Sequence, residues 1–300
     1  MHSNAAERIR DGNPVDNPAA RLLLEELLTR GYAKLQITRE TRQQIDRTLA
    51  SARAYFAQPL SEKRRYAEPR YVEGYRDIGL EYSQIASRPD LTESFSLWNR
   101  NRARTEAAGW IQDCPIHAAL RRTADDLAFY VGELFQTMTD KWAPGTTAPR
   151  FAKASYMQLN YYEPAQHSRD ILQDGHEDGH LLTVVTATGP GLEIEIETET
   201  GRRYQPAQLA ENEMLIMPCS LLTLMTGGAI QPLFHQVKNS FLKEPRYSMM
   251  FFVNPESDQV LEPWIRNDSN RDADVIAEAN ALPMKFGLPS LEAGIEGRGR

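Results

Sequence analysis

From about residue 151 to residue 254 the chain is written in short alternating or apolar runs separated by turn residues, and this texture limits the fold more than any other feature. Leu192-Glu193-Ile194-Glu195-Ile196 alternates strictly, so an extended strand there puts its apolar side chains on one face. Thr200-Gly201 marks a hairpin, and Met214–Met217 and Met249–Val253 read as buried strands. Strands of this length and spacing bury their apolar faces by packing sheet on sheet, as a sandwich or barrel.

The residues before this stretch follow a different period. Asn17-Pro18 is a helix start, with a capping side chain followed by proline at the first helical position. Leu23, Leu24, Leu27 and Leu28 recur at helical spacing, and Gly31 ends the helix. Tyr32–Ile37 alternates like a half-buried strand. Thr38 caps a second helix carried by Ile45, Leu49, Ala52 and Phe56 and closed by Pro59. Residues 60–112, rich in Tyr, Arg and Pro, show no period and read as irregular. A long amphipathic helix follows Pro115, with Ile116, Leu120, Leu127, Val131, Leu134, Phe135 and Met138 on one side, and Ala143–Phe151 is a loop. The polar first ~15 residues and the glycine-rich Glu296–Arg300 end read as loose arms. The expected class is α+β: a mainly helical region over 1–150, a double-sheet core over 151–255, and a segment over 256–300 that could cover the site.

Composition narrows the partners. With 41% hydrophobic and 25% charged residues the chain is an ordinary globular protein. A net charge of −7 and no dense basic stretch argue against nucleic acid. Cys114 and Cys219 are too few for a disulfide framework, no apolar run reaches membrane-spanning length, and the first residues lack an apolar signal core. The expectation is a cytoplasmic protein that meets neither membrane nor nucleic acid. Oligomeric state is not readable.

His176-Glu177-Asp178-Gly179-His180 carries the chemistry. It satisfies the H-E-x-x-H pattern of zinc peptidases, but that pattern works only on a helix, where residues four apart share a face. Gly175, Gly179 and the following Leu181–Thr186, with its β-branched residues, favour an extended chain instead. In a strand His176 and Asp178 share a side and Glu177 takes the other. With His235, on a separate apolar segment, they make two imidazoles and one carboxylate, a set that binds iron(II) on one face and leaves positions open. His180 reads as a hydrogen-bonded pocket wall rather than a fourth ligand. The same two-residue spacing pairs Arg246 with Ser248 and Asn160 with Tyr162. Such polar pairs on otherwise apolar strands need a partner, and a guanidinium with hydroxyls suits a small dicarboxylate. The rival reading of Arg246 is a surface ion pair with Glu244.

These motifs resemble the iron(II)/2-oxoglutarate-dependent dioxygenases of the isopenicillin N synthase-like family over roughly residues 20–255. Asn160-Tyr161-Tyr162 looks like that family's N-Y-Y, His176-Glu177-Asp178 its H-x-D, His235-Gln236-Val237 its H-R-V and Arg246-Tyr247-Ser248 its R-x-S. Arg30-Gly31-Tyr32, Gly74-Tyr75 and Glu93-Ser94-Phe95 look like its N-terminal region. The resemblance implies a distorted jelly-roll core (a double-stranded β-helix) braced by helices. It implies iron(II) held by His176, Asp178 and His235, and 2-oxoglutarate held by Arg246 and Ser248 with Tyr162 and Asn160. It further implies molecular oxygen as oxidant, ascorbate as an optional reductant, and oxidation of a C–H bond by hydroxylation, desaturation or cyclisation, as in specialised-metabolite biosynthesis. Three departures stand out: Gln236 for arginine, Cys219-Ser220 for Gly-Asp, and a His235-to-Arg246 gap about one residue longer than usual, which calls for a small bulge to aim Arg246.

Rival functions stay open at this point: an iron oxidase that does not use 2-oxoglutarate, a non-catalytic binding protein on the same fold, and the zinc peptidase. The substrate is expected to be a small molecule. Tyr75, Tyr82 and Phe95 are candidate pocket walls, with core packing as their rival reading, and Arg76 or Arg88 could pair with a substrate carboxylate.

Overall fold

The computed structural model describes residues 17–67, 73–99, 113–163, 169–239 and 244–281. Both expected terminal arms lie outside them.

Helix α1 (Pro18–Arg30) starts where the Asn17 side chain accepts the Ala19 and Ala20 amides, and stops at Gly31, whose φ of 76° is left-handed. It buries Leu23, Leu24 and Leu27, while Leu28 remains 38% exposed, so the apolar face is narrower than its leucines suggest. Strand β1 (Ala33–Gln36) follows. Thr38 then accepts the Thr41 amide to open α2 (Arg39–Phe56), and Pro59 starts a single turn, α3 (Leu60–Arg64). The 26-residue α4 (His117–Trp142) packs against α1 and α2.

The stretch expected to be irregular holds two strands, β2 (Gly74–Arg76) and β3 (Glu93–Trp98). Their inward residues Arg76, Ser94 and Ser96 are polar yet buried, which hides the hydrophobic period. Residues 68–72 and 100–112 of that stretch lie outside the described residues.

Eight of the remaining elements are strands: β4 (Tyr156–Tyr162), β5 (Ile171–His176), β6 (Leu182–Ala187), β7 (Leu192–Ile196), β8 (Arg203–Pro206), β9 (Glu213–Pro218), β10 (His235–Lys238) and β11 (Arg246–Val253). Two short helices, α5 (Ser220–Met225) and α6 (Val275–Ala281), complete the described chain. All pairings are antiparallel and form two sheets, β1-β9-β6-β11-β4-β3-β2 and β5-β10-β7-β8. Gly201, at φ 105°, turns the β7–β8 hairpin. This is the expected α+β jelly roll.

The period of two in β4 separates the helical layer from the interior. Met157, Leu159 and Tyr161 face the helices, with Tyr161 stacked on Phe56 at 5.3 Å. Tyr156, Gln158, Asn160 and Tyr162 point between the sheets, where Tyr162 meets Leu172 and Val237 of the smaller sheet. After β11 the chain runs past α5, with the Trp264 amide bonded to the Met225 carbonyl, and α6 packs on α5. The end of the segment expected to cover the site, 282–300, lies outside the described residues.

Candidate metal centre and its cleft

His176 is the last residue of β5 and His235 the first of β10, and the two are directly paired across the ladder with ring centroids 4.4 Å apart. Asp178 is not on a strand, as its parity suggested; it sits in the turn between β5 and β6. That turn is pinned by α5: the Ser220 amide donates to the Asp178 carbonyl and the Leu221 amide to the His180 carbonyl. Asp178 Oδ1 lies 3.5 Å from His176 Nε2 and 3.9 Å from His235 Nε2, and one ligand atom from each residue falls within 4.8 Å of the others. The trio predicted from spacing is thus brought together.

The outer atoms orient the inner ones. His176 Nδ1 donates to the Asp174 carbonyl at 2.7 Å and His235 Nδ1 to the Leu233 carbonyl at 3.4 Å, since a carbonyl only accepts. Both Nε2 lone pairs are left facing Asp178. Asp178 Oδ2 accepts the Thr183 hydroxyl at 2.6 Å, which leaves Oδ1 toward the imidazoles. Burial works against ionising Asp178, but the His235 and His176 imidazoles beside it hold the carboxyl below the usual range. Burial pushes His235 down to about 4; it pushes His176 down too, but the bond and charge of Asp178 outweigh it and hold that imidazole above its ordinary value. Three buried lone-pair donors converging from two imidazoles and a carboxylate fit a divalent metal.

The zinc-peptidase geometry is absent. His176 and His180 do not share a helix, and Glu177 accepts the Ser220 amide at the start of α5 rather than flanking a metal. His180 Nδ1 bonds Asn254 Oδ1 at 2.8 Å, which makes it a buried wall residue outside the ligand trio.

The β4–β11 ladder assembles the second constellation by pairing Arg246 with Tyr162 and Ser248 with Asn160. Arg246 is 4% exposed and its guanidinium makes no ion pair with Glu244, which removes the surface reading. Its Nη1 donates to the Ser248 hydroxyl and its carbon lies 5.0 Å from the Tyr162 ring centre, yet Nε and Nη2 are buried without a partner. Tyr162 accepts from Asn160 at 3.3 Å and donates to Gln173 at 3.1 Å. Two orphaned donors on a buried guanidinium fit a carboxylate, which only accepts and can do so twice. The β11 register is continuous, so no bulge aims Arg246 among the described residues; the irregular register lies in β10 against β5. Residues 240–243 of the connection lie outside the described residues.

A cleft with about 570 Å³ of space opens beside His176, Asp178 and His180. Of the expected wall residues Tyr82 borders it; Tyr75 and Phe95 do not. They point the other way from β2 and β3 and pack around Tyr55, with Phe95 5.3 Å from that ring and the Tyr75 hydroxyl donating to Glu93. Neither arginine offers itself to a substrate carboxylate: Arg76 is buried against Glu81, Ser94, Ser96 and Gln158, and Arg88 pairs with Asp174 at 3.2 Å. The sequence reading missed Glu81, Asp90, Trp98 and Gln158 on the cleft wall and Thr183 behind Asp178. Gln158 was within reach, because it shares the parity of Asn160 and Tyr162.

Residues 153–255 match the family model of the 2OG-Fe(II) oxygenase superfamily. Gibberellin 20 oxidase 1-B of Triticum aestivum is 34% identical over 110 residues, covering 36% of this chain and 29% of that protein. Gibberellin 3-beta-dioxygenase 3 of Arabidopsis thaliana is 26% identical over 199 residues, covering 60% of this chain and 55% of that protein. The chain thus spans little more than half the length of these curated relatives, or less. The solved structure of dioxygenase for auxin oxidation 1 from Arabidopsis thaliana, a binary complex with 2-oxoglutarate, superposes with a TM-score of 0.64 at 16% identity over 86% of this chain and 96% of that one, which shows the shared fold. The metal and co-substrate that belong with the family match are iron(II) and 2-oxoglutarate, and the two sites above fit them. Residues 153–255, which carry the His-Asp-His cluster within the jelly roll, thus match the 2OG-Fe(II) oxygenase superfamily, in line with the isopenicillin N synthase-like resemblance of the motifs.

Proposed function

We propose that this protein is an iron(II)- and 2-oxoglutarate-dependent oxygenase that oxidises an unactivated C–H bond of a small molecule. The orphaned, buried guanidinium of Arg246 carries the reading, because it supplies a dicarboxylate grip to a fold that already holds an iron-type ligand trio. An iron oxidase without 2-oxoglutarate would instead need its own substrate to bring a carboxylate to those donors.

His176, Asp178 and His235 would hold the iron, and 2-oxoglutarate would be bound beside it. Arg246 and Ser248 grip the distal carboxylate, Tyr162 presents its hydroxyl beside them, and Asn160 holds Tyr162 in place. Thr183 fixes the Asp178 carboxylate by holding Oδ2. His180, fixed by Asn254, and Phe252 form part of the cleft wall. When bound, iron(II) would activate dioxygen, the oxidant, at the expense of 2-oxoglutarate, which leaves as succinate and carbon dioxide. Where the substrate C–H sits then decides among hydroxylation, desaturation and cyclisation. The 151–255 core carries these groups, the helical 1–150 region braces it, and tailoring of a specialised metabolite in the cytoplasm suits the chemistry. None of the described helices is long and apolar enough to cross a membrane.

The test is spectroscopic and chemical. Anaerobic addition of iron(II) and 2-oxoglutarate is expected to give a visible charge-transfer band, absent in His176→Ala and Asp178→Ala. Both variants should lose substrate-stimulated succinate formation. Full turnover in both would overturn the ligand assignment, and iron binding without the band would favour the oxidase.

A further inference from the structure

The cleft beside the metal ligands has an electrostatic character that the oxygenase reading leaves unexplained. Besides Asp178 of the ligand trio, two carboxylates border it, Glu81 and Asp90, and they are compensated differently. Glu81 already has a cation, since Arg76 donates to it and Ser94 and Gln158 add hydrogen bonds. Asp90 has none. Its oxygens accept the Ser83 hydroxyl at 3.1 and 2.8 Å and the Gln173 amide at 3.3 Å, and among the described residues no lysine or arginine pairs with it. It is 3% exposed, and burial pushes its carboxyl up to about 6, against the opposing effects of Ser83 and His176. A carboxylate buried without a cation is costly unless a ligand brings one.

The rest of the wall points the same way. Arg76 is 2% exposed and engaged on Glu81, and no lysine or arginine borders the cleft among the described residues. Trp98, stacked on Tyr156 at 4.1 Å, and Phe252 add aromatic side chains to the same wall. Carboxylates and ring faces together attract a cation through ion pairing and the ring quadrupole. Among the described residues an anionic substrate would meet these two acids and no free lysine or arginine.

We propose that the cleft takes a small molecule carrying a basic nitrogen, an ammonium or a guanidinium, with Asp90 as its charge partner and Glu81 as a second acceptor. The inference rests on the oxygenase reading for which compound is turned over, but its test reads binding alone. Protein loaded with zinc(II) and 2-oxoglutarate, so that Asp178 is occupied by metal and no turnover occurs, is titrated calorimetrically near neutral pH with matched probes. These are phenethylamine against 3-phenylpropionate, and n-butylguanidine against pentanoate.

The basic member of each pair is expected to bind at least about tenfold more tightly than its acid. Asp90→Asn, which keeps the shape and removes the charge, should abolish that preference while leaving the circular dichroism spectrum unchanged. Equal binding, preference for the acids, no measurable binding of either base, or a preference that survives Asp90→Asn would each overturn the proposal. A normal iron charge-transfer band alongside such a result would leave the oxygenase reading standing. Loss of the band with intact amine selectivity would do the reverse.

Discussion

Asp90→Asn should make the metal-free protein more stable at neutral pH, and by an amount that pH controls. The Asp90 carboxyl lies at about 6 in the fold against an ordinary 3.8, chiefly because burial penalises its charged form, with Glu81 adding to it. An acid raised by folding favours the native state fully below the lower value, and loses that contribution as pH climbs through the higher one. Wild type therefore carries a penalty of ~3 kcal/mol at pH 7 that asparagine, which cannot ionise, escapes. The Ser83 hydroxyl can still donate to the asparagine oxygen. Rearrangement of the Gln173 bond costs ~1 kcal/mol at every pH, so it displaces the curve without tilting it. Urea unfolding of both proteins at steps between about pH 4 and pH 8 measures the difference. The variant's advantage should grow by ~2.5 kcal/mol across that window, a midpoint change of ~1 M. A difference that stays flat with pH would refute the reasoning, because the buried charge would then cost nothing.

Three further perturbations probe the site. Arg246→Met should leave the metal-free protein as stable or more so, because two unpartnered donors disappear, while 2-oxoglutarate affinity falls ~100-fold or more by calorimetry; stability and affinity falling together would make Arg246 a structural group. Thr183→Val removes the 2.6 Å bond to Asp178 and should weaken iron(II) affinity ~10-fold in competition with a chelator, whereas Thr183→Ser retains it. Gly175→Ala drives a methyl group into the Tyr204 hydroxyl and should lower stability by ~1–3 kcal/mol in thermal unfolding. Tyr204→Phe in that background should recover part of the loss, and no recovery would place the strain elsewhere.

What the sequence disclosed depends on how local the determinant is. Asn17, Gly31 and Thr38 act on neighbours a few residues away, so the bounds of α1 and the start of α2 were readable. Strands β2 and β3 exist because they pair outward from β4, some sixty residues later, and their buried polar faces gave no hydrophobic alternation. The metal trio was legible through residue chemistry even though Asp178 lies off the strand, because the α5 amides that pin its turn come from a distant segment. Asp90 and Glu81 were hidden for a plainer reason. An acid in a stretch without periodicity reads as solvated, and only the fold shows that both line the cleft.

Strand β4 also says how a protein of this kind can change. Alternate residues answer to different demands: Met157, Leu159 and Tyr161 serve the helical layer, and Tyr156, Gln158 and Asn160 serve the interior. A substitution at an even position can redraw the cleft without loosening a helix, and one at an odd position weakens folding without touching selectivity. A saturation library across 156–162, sorted separately for abundance and for ligand preference, should therefore split into two interleaved sets. New substrate ranges would then arise along one edge of the strand while the other preserves the scaffold, and the two could be selected in sequence rather than traded against each other.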